Sequence, residues 1–247
     1  NAGADARRQE HSVETPLSAQ EPHGADFSHP IYDPVRPALE RLARESDWPN
    51  PGRLNLLARE LGVAPRTASG QPVRFAAPRP EDPNYELRVH TSGEVATRQR
   101  DWHDLFNALA WIAFPRTKAM LNARHAAQIR REGGRRGPLR DLLTIFDEGG
   151  AIVVSADPGL VELIRAFRWR ELFWQRRAEV VQSMRFFVVG HAVLDQARRP
   201  WPGITCKALF VQADAALLDL AQSGDRLERR IGAQRGHELA TLDVDRS

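Results

Sequence analysis

Lysine is almost missing from this chain. Of its 35 basic residues, only Lys118 and Lys207 are lysine; all the others are arginine. So strong a bias reflects genome composition, and a lysine that survives it marks a place where a compact ammonium is wanted and a planar fork does not fit. Cysteine is scarcer still. A lone Cys206 excludes an intramolecular disulfide and any cysteine-rich zinc site, and makes a reducing, cytoplasmic location the default expectation. No run approaches the roughly 18 to 20 apolar residues that a membrane span needs. "NAGADARRQEHSVETPLSAQEPHGADFSHP" holds no apolar stretch of the secretory-signal kind. There is no GxSxG, P-loop, GxGxxG or HExxH pattern, so no standard enzyme class announces itself. What is present is ordinary: 247 residues, 42% apolar and 27% charged, with a net charge of +3 too small to imply nucleic acid.

The pattern of elements predicts α+β, a mostly helical single domain with short antiparallel hairpins. Residues 1 to 27 read as a disordered N-terminal segment, 28 to 222 as one globular domain, and 223 to 247 as a charged tail. Helices are expected after Pro34 ("PVRPALERLARE"), over "PGRLNLLARELG" and over "DPGLVELIRAF", where an Asp N-cap precedes Pro. "ASGQPVRFAAP" reads as a short strand. "NYELRVHTSGEVATR" reads as a hairpin turning at Ser92-Gly93, and "LLTIFDEGGAIVVS" as a second one around Asp147 to Gly150. "EGGRRG" is a break. "WRELFWQRRAEVVQSMRFFVVGHAVLDQARR" reads as long and mainly helical, with Gly190 where another backbone comes close. "PWPGITCKALFVQ" is a loop entering a strand, and "DAALLDLAQSG" a last helix.

One stretch asks for more than a fold. "DWHDLFNALAWIAFPRTKAMLNARH" (101–125) reads as two buried helices meeting at Phe114-Pro115, yet it carries six polar groups. Buried polar groups cost free energy unless they are paired or bound to something. On the first helix His103 and Asn107 lie about 40° apart, with Asp104 about 60° beyond Asn107. On the second, Lys118, Asn122 and His125 recur at i, i+4 and i+7. Two stripes joined at a bend can aim at a common point. Imidazole and carboxylate suit a metal, with His103, Asp104 and His125 as ligands. Alternatively Lys118 binds an anion that Asn107 and Asn122 orient, while a His moves protons. The plain alternative has Asn and His hydrogen-bonding across the helix pair and Asp104 pairing Lys118.

His103-Asp104 also invites comparison with HD-type metal phosphohydrolases, which need another His upstream and an Asp downstream. His90 with Asp141 or Asp147 are the nominees, but His90 falls on an expected strand. The fuller likeness rests on "DWHDLFNALAWIAFPRTKAMLN" (101–122), "LLTIFDEGG" (142–150), "FFVVGHAVLD" (186–195) and "PGITCKALF" (202–210). Together they resemble the bacterial domain-of-unknown-function family 3025, over about residues 30 to 212. The resemblance implies a shared domain rather than an activity: the three later segments belong with the first. They add Asp147 and Glu148 at a hairpin tip, the buried His191, Lys207 within reach of an anion, and Cys206, a nucleophile only if a base activates it.

Two functions compete. The first is a hydrolase acting on an anionic or phosphorylated substrate. Its candidate cofactor is a divalent metal ion held by His103, Asp104 and His125; Asp147, Glu148 or His191 would complete the shell or serve as acid or base, Lys118 would neutralise developing charge, and Asn107, Lys118, Asn122 and Lys207 would bind substrate. The second is a non-catalytic binding protein whose arginine-rich segments "QIRREGGRRG" and "RLERRIGAQRG" contact nucleic-acid phosphates.

Overall fold

Prolines open most of the helices, because a fixed φ and a missing N–H suit the first turn. The computed structural model describes residues 26–79, 84–132, 136–213 and 218. Helix α1 spans Arg36–Leu42, and α2 spans Pro51–Glu60 with Asn50 capping the Arg53 N–H. α4 (Trp102–Ala113) is capped by Asp101, and α5 (Pro115–Arg131) follows after a single residue, Phe114. α7 (Pro158–Arg165) starts on Asp157, whose carboxylate accepts from the Gly159 N–H, as that sequence leads one to expect.

Both expected hairpins are instead a helix followed by a strand. Tyr85–Ser92 forms α3, closed by Gly93 at φ 73°, and Glu94–Ala96 is a strand, β2, which pairs in parallel with β1 (Arg74–Ala76). Pro138–Gly149 forms α6 and runs straight into β3 (Gly150–Ser155). Short apolar runs such as "LLTIF" fit either period, and here the helix buries Leu143 while leaving Leu142 and Ile145 exposed. The long helix expected beyond Trp169 is broken into a π-helical turn (Glu171–Gln175), α8 (Arg177–Ser183), β4 (Met184–Val188) and α9 (His191–Gln196). β4 lies antiparallel to β3, and β5 (Lys207–Gln212) lies parallel to it on the other side. The fold is α+β and mostly helical, but its strands meet through long connections. The expected last helix, the "EGGRRG" break and the tail lie largely or wholly outside the described residues.

Helix α4 is buried nearly all round, as its apolar faces require, and sits at the centre of the main core. Phe27 packs on it through Trp102 and Phe106. A smaller cluster under α7 and α8 joins Val153, Leu160, Leu163, Leu172, Val180 and Met184.

Gly190 fixes how α9 meets the end of α6. A Cβ built there would lie 2.5 Å from the Glu148 carbonyl oxygen and 2.6 Å from the Gly150 nitrogen, both backbone atoms that have nowhere to go. The close approach expected at this glycine is therefore real, although it occurs at a strand–helix junction rather than inside a helix. Gly190→Ala is expected to destabilise the fold by about 1 to 3 kcal/mol or more, read as a lower urea midpoint. An unchanged midpoint would show that the junction can open at no cost.

Candidate functional site

Beyond the joint at Phe114, α3 and α6 pack on α5, while α9 packs on α4 and on α6. His103 lies in the first turn of α4, Glu148 in the last turn of α6, and His191 is the first residue of α9. Gly190 permits this meeting, since the Val189 and Gly190 N–H groups both donate to the Gly150 carbonyl. His191 Nδ1 stands 2.8 Å from the Asp147 carbonyl oxygen. A carbonyl can only accept, so Nδ1 carries the proton and Nε2 is left with a bare lone pair. Burial, and then the Lys118 charge, hold His191 down to about 3, so the ring is neutral at physiological pH.

The bare Nε2 of His191 faces the Nε2 of His103 at 3.1 Å. Glu148 Oε2 completes a triangle, 3.5 Å from His191 Nε2 and 3.7 Å from His103 Nε2. Among the described residues this is the group of His, Cys, Asp and Glu donors close enough together to hold a metal. A proton shared between the two rings accounts for 3.1 Å but not for the carboxylate, which stands at or beyond hydrogen-bond range of both. Tetrahedral coordination with metal–ligand bonds of about 2.0 to 2.1 Å spaces the donors roughly 3.3 Å apart, a value the three separations bracket. Burial pushes Glu148 up, opposed by His103 and reinforced by the Asp147 carboxylate.

Behind the triangle lies a buried ion pair. Lys118 Nζ sits 2.5 Å from Asp147 Oδ1, and its side chain is 4% exposed. Burial raises Asp147, but the Lys118 ammonium and its hydrogen bond, together with the neighbouring His191 and His125, outweigh it and hold the carboxyl below its ordinary value. The next layer is polar as well. Asn122 Nδ2 donates to the Glu86 carbonyl and to Glu86 Oε2 at 2.9 and 2.7 Å, while Asn107 Nδ2 donates to the Tyr85 hydroxyl. Burial and the nearby Asp147 charge push Glu86 up to about 7, and burial pushes His125 down to about 4.

His103, Asn107, His125, Glu148 and His191 line one cavity of about 350 Å³, walled also by Tyr85, Glu86, Arg98 and Asp147. Lys118 and Asn122 line a narrow pocket that shares Tyr85, Glu86, His125 and Asp147 with it. The two polar stripes are thus brought together, though in different roles from those the sequence suggests. Asp104 pairs with neither Lys118 nor the imidazoles: Arg98 grips it with Nε at 2.9 Å and Nη2 at 2.8 Å. Asp147 spends its carboxylate on Lys118. His125 and Asp147 reach the cavity wall but not the triangle. Lys207 and Cys206 are exposed beside β5 and do not line the cavity. His90 is on a helix after all, yet it does not line the cavity either, and Asp141 is held by Arg136, so no HD-type arrangement forms among the described residues. Glu86, Tyr85 and Arg98 were missed. Read at helical period, "NYELRVHTS" would have placed Tyr85 and Glu86 on the face of Val89, pointing inward.

The family model described as Protein of unknown function (DUF3025) matches residues 73–241, and the chain belongs to that family. No curated protein and no solved structure matches the chain.

Two predictions concern the charges. Lys118→Met leaves a buried carboxylate without a partner and is expected to cost about 3 to 5 kcal/mol. Adding Asp147→Asn should recover more than half of that loss in a denaturant titration; no recovery would mean that Asp147 is not the partner that matters. Glu86 gives a pH signature. Its folded pKa stands above the unfolded one, so its stabilising contribution is full below about pH 4.5 and is lost as pH rises through 7. Glu86→Gln removes this term. Its melting temperature relative to the parent should therefore climb between pH 5 and pH 8, by an amount equivalent to about 1 to 3 kcal/mol. A constant difference across that range would show that Glu86 titrates normally.

Proposed function

We propose that the protein is a metal-dependent hydrolase. One divalent ion is held by His103 Nε2, His191 Nε2 and a Glu148 carboxylate oxygen. The observation that carries this reading is the convergence of two imidazole nitrogens at 3.1 Å with a carboxylate oxygen at 3.5 and 3.7 Å, one imidazole being fixed in its ligating tautomer by a backbone carbonyl. Three protein ligands leave a coordination position for water, and a divalent ion brings that water's pKa towards 7. A divalent ion held there would supply an activated water as nucleophile and polarise the oxygen of an acyl or phosphoryl centre, while the leaving group would take up a proton from a cavity residue as its bond breaks.

Glu86 suits the proton transfer, because it shares the cavity wall and exchanges its proton near neutrality. His125, neutral at that pH, is available as an acceptor. Preference for an anionic substrate now rests on the metal, not on Lys118, whose charge is spent on Asp147. With two neutral imidazoles and one carboxylate, a divalent centre keeps a net charge of +1. The ion pairs Lys118–Asp147 and Arg98–Asp104 add nothing to it. The nucleic-acid reading gains no support: Arg136 and Arg140, beside the glycine loop, are engaged with Asp141 and Glu132.

Elemental analysis tests the core of this reading. The purified chain, or the chain incubated with zinc, manganese or nickel, should hold about one equivalent of metal. His103→Ala, His191→Ala and Glu148→Gln should each lose it while Asp104→Asn keeps it. Phosphoester hydrolysis, assayed with nitrophenyl phosphate mono- and diesters, should disappear on chelation and return with metal. Absence of both metal binding and a metal-dependent rise in melting temperature would remove the metal from the mechanism.

A further inference from the structure

Beyond His103, Glu148 and His191, the cavity wall carries hydrogen-bonding atoms that the chain itself leaves unanswered. Asn107 lies one turn past His103 on α4, roughly 6 Å further along the helix axis. It is 9% exposed and lines the cavity together with Tyr85. Its Nδ2 donates to the Tyr85 hydroxyl at 3.2 Å, while its Oδ1 is buried with no hydrogen-bond partner among the described residues. The hydroxyl accepts that bond and still carries a proton, which no described residue accepts. Burial, reinforced by Glu86, raises the phenol above its ordinary value, so this proton stays in place at physiological pH.

Asn55 shows what a purely structural amide looks like in this fold. Its Nδ2 donates to the Pro51 and Phe75 carbonyls, and its Oδ1 accepts from the Phe75 N–H. Asn107 and Tyr85 instead offer the cavity one acceptor and one donor. The count is the same whichever way round the Asn107 amide stands. With the amide turned over, the hydroxyl would donate to it, leaving an amide N–H as the free donor and the phenol oxygen as the free acceptor. The two groups touch, so one ligand atom can reach both. A hydroxyl gives one hydrogen bond and takes one through a single oxygen. A carboxylate or phosphate dianion only accepts and an ammonium only donates, so each would leave half of the pair unmet where that is costly.

We propose that Asn107 and Tyr85 recognise a hydroxyl on the body of the substrate, whose reacting end is held at the two histidines and Glu148. The position of the reacting end rests on the metal-site reading above; the pair itself needs no metal. His125 Nδ1 is buried on the same wall, also without a partner, and can meet a second hydroxyl. The cavity of about 350 Å³ is near the lower end of the roughly 300 to 1,000 Å³ of small-molecule sites. The substrate class is therefore a small ester of a polyol, neither an apolar ester nor a polymer.

Calorimetric titration of the full chain with glycerol 3-phosphate and with propyl phosphate, which lacks only the two hydroxyls, tests this. The glycerol ester should bind at least about tenfold more tightly, because a site built for a hydroxyl is left unpaired by the analogue without it. Zinc should tighten both esters alike, and the preference should persist after treatment with EDTA. Asn107→Leu and Tyr85→Phe should each reduce it severalfold. Joined in one chain they should abolish it while leaving the melting temperature at or above the wild-type value, since apolar groups of similar shape then replace an unmet pair. Equal affinity for the two esters would overturn the proposal, as would failure of the glycerol ester to bind or a preference that neither substitution weakens. A large fall in melting temperature in the double variant would also overturn it, by making the pair structural. A chain that takes up no zinc would remove the metal reading and still leave the preference between the esters to decide this one.

Discussion

Everything at the site hangs on the ion pair between Lys118 and Asp147. It ties the last turn of α6 to α5 from the inside, in a place where neither charge could remain alone. Once Asp147 is fixed there, its backbone carbonyl stands where His191 Nδ1 can donate to it, and that bond decides which nitrogen of His191 keeps its lone pair. The next residue, Glu148, is then presented to both imidazoles. A guanidinium would be larger and planar in a pocket where the ammonium is 4% exposed and also lies 5.8 Å from the Trp111 ring centre. That accounts for a lysine surviving in a chain that otherwise uses arginine.

Around the cavity, Asp104 is matched by Arg98 and Asp147 by Lys118, whereas among the described residues Glu148 has only imidazoles within ion-pair range. Burial, and then the Asp147 charge, push Glu86 up to about 7, so it keeps its proton far more readily than an exposed carboxyl. Glu148 faces two imidazole nitrogens. His191 Nε2 presents a lone pair, which His103 Nε2 can meet either as a hydrogen-bond donor or beside it as a second donor atom toward a cation. It is the second arrangement that the proposed metal would use.

Much of this could be read from the chain itself. The polar stripes on α4 and α5 are a matter of helical spacing, and the caps at Asn50, Asp101 and Asp157 follow from residue type. The surviving Lys118 marks the buried charge within the sequence. Its partner Asp147 is not legible there, because it comes from a segment whose period is ambiguous. "LLTIFDEGG" has five residues that suit a strand or a buried helix equally, and only packing on α5 and α9 decides between them. The same ambiguity hid Glu86, since a strand reading of "NYELRVH" sends alternate residues outward. Asp104 was misjudged for another reason. Its neighbour in space, Arg98, precedes the helix in an irregular segment, where spacing carries no information about contacts.

The helical state of α6 also gives its two adjacent carboxylates different surroundings. On a hairpin tip Asp147 and Glu148 would both have been free to turn towards the imidazoles. On a helix, neighbours point about 100° apart, so the two approach His191 from different sides, Asp147 3.9 Å from Nδ1 and Glu148 3.5 Å from Nε2. Asp147 points at α5 and its ammonium; Glu148 points between α4 and α9 at the histidines. One side chain is committed to holding the helix in place, and that commitment leaves the other free for chemistry. His103, Glu148 and His191 each stand in the first or last turn of a helix, with α4 buried in the core and α6 running directly into β3, so their spacing is set largely by packed backbone. They also fall one apiece in three of the four segments that carry the family resemblance. The fourth, leading into β5, supplies the strand whose Lys207 backbone pairs with Gly150, bracing the joint just after Glu148.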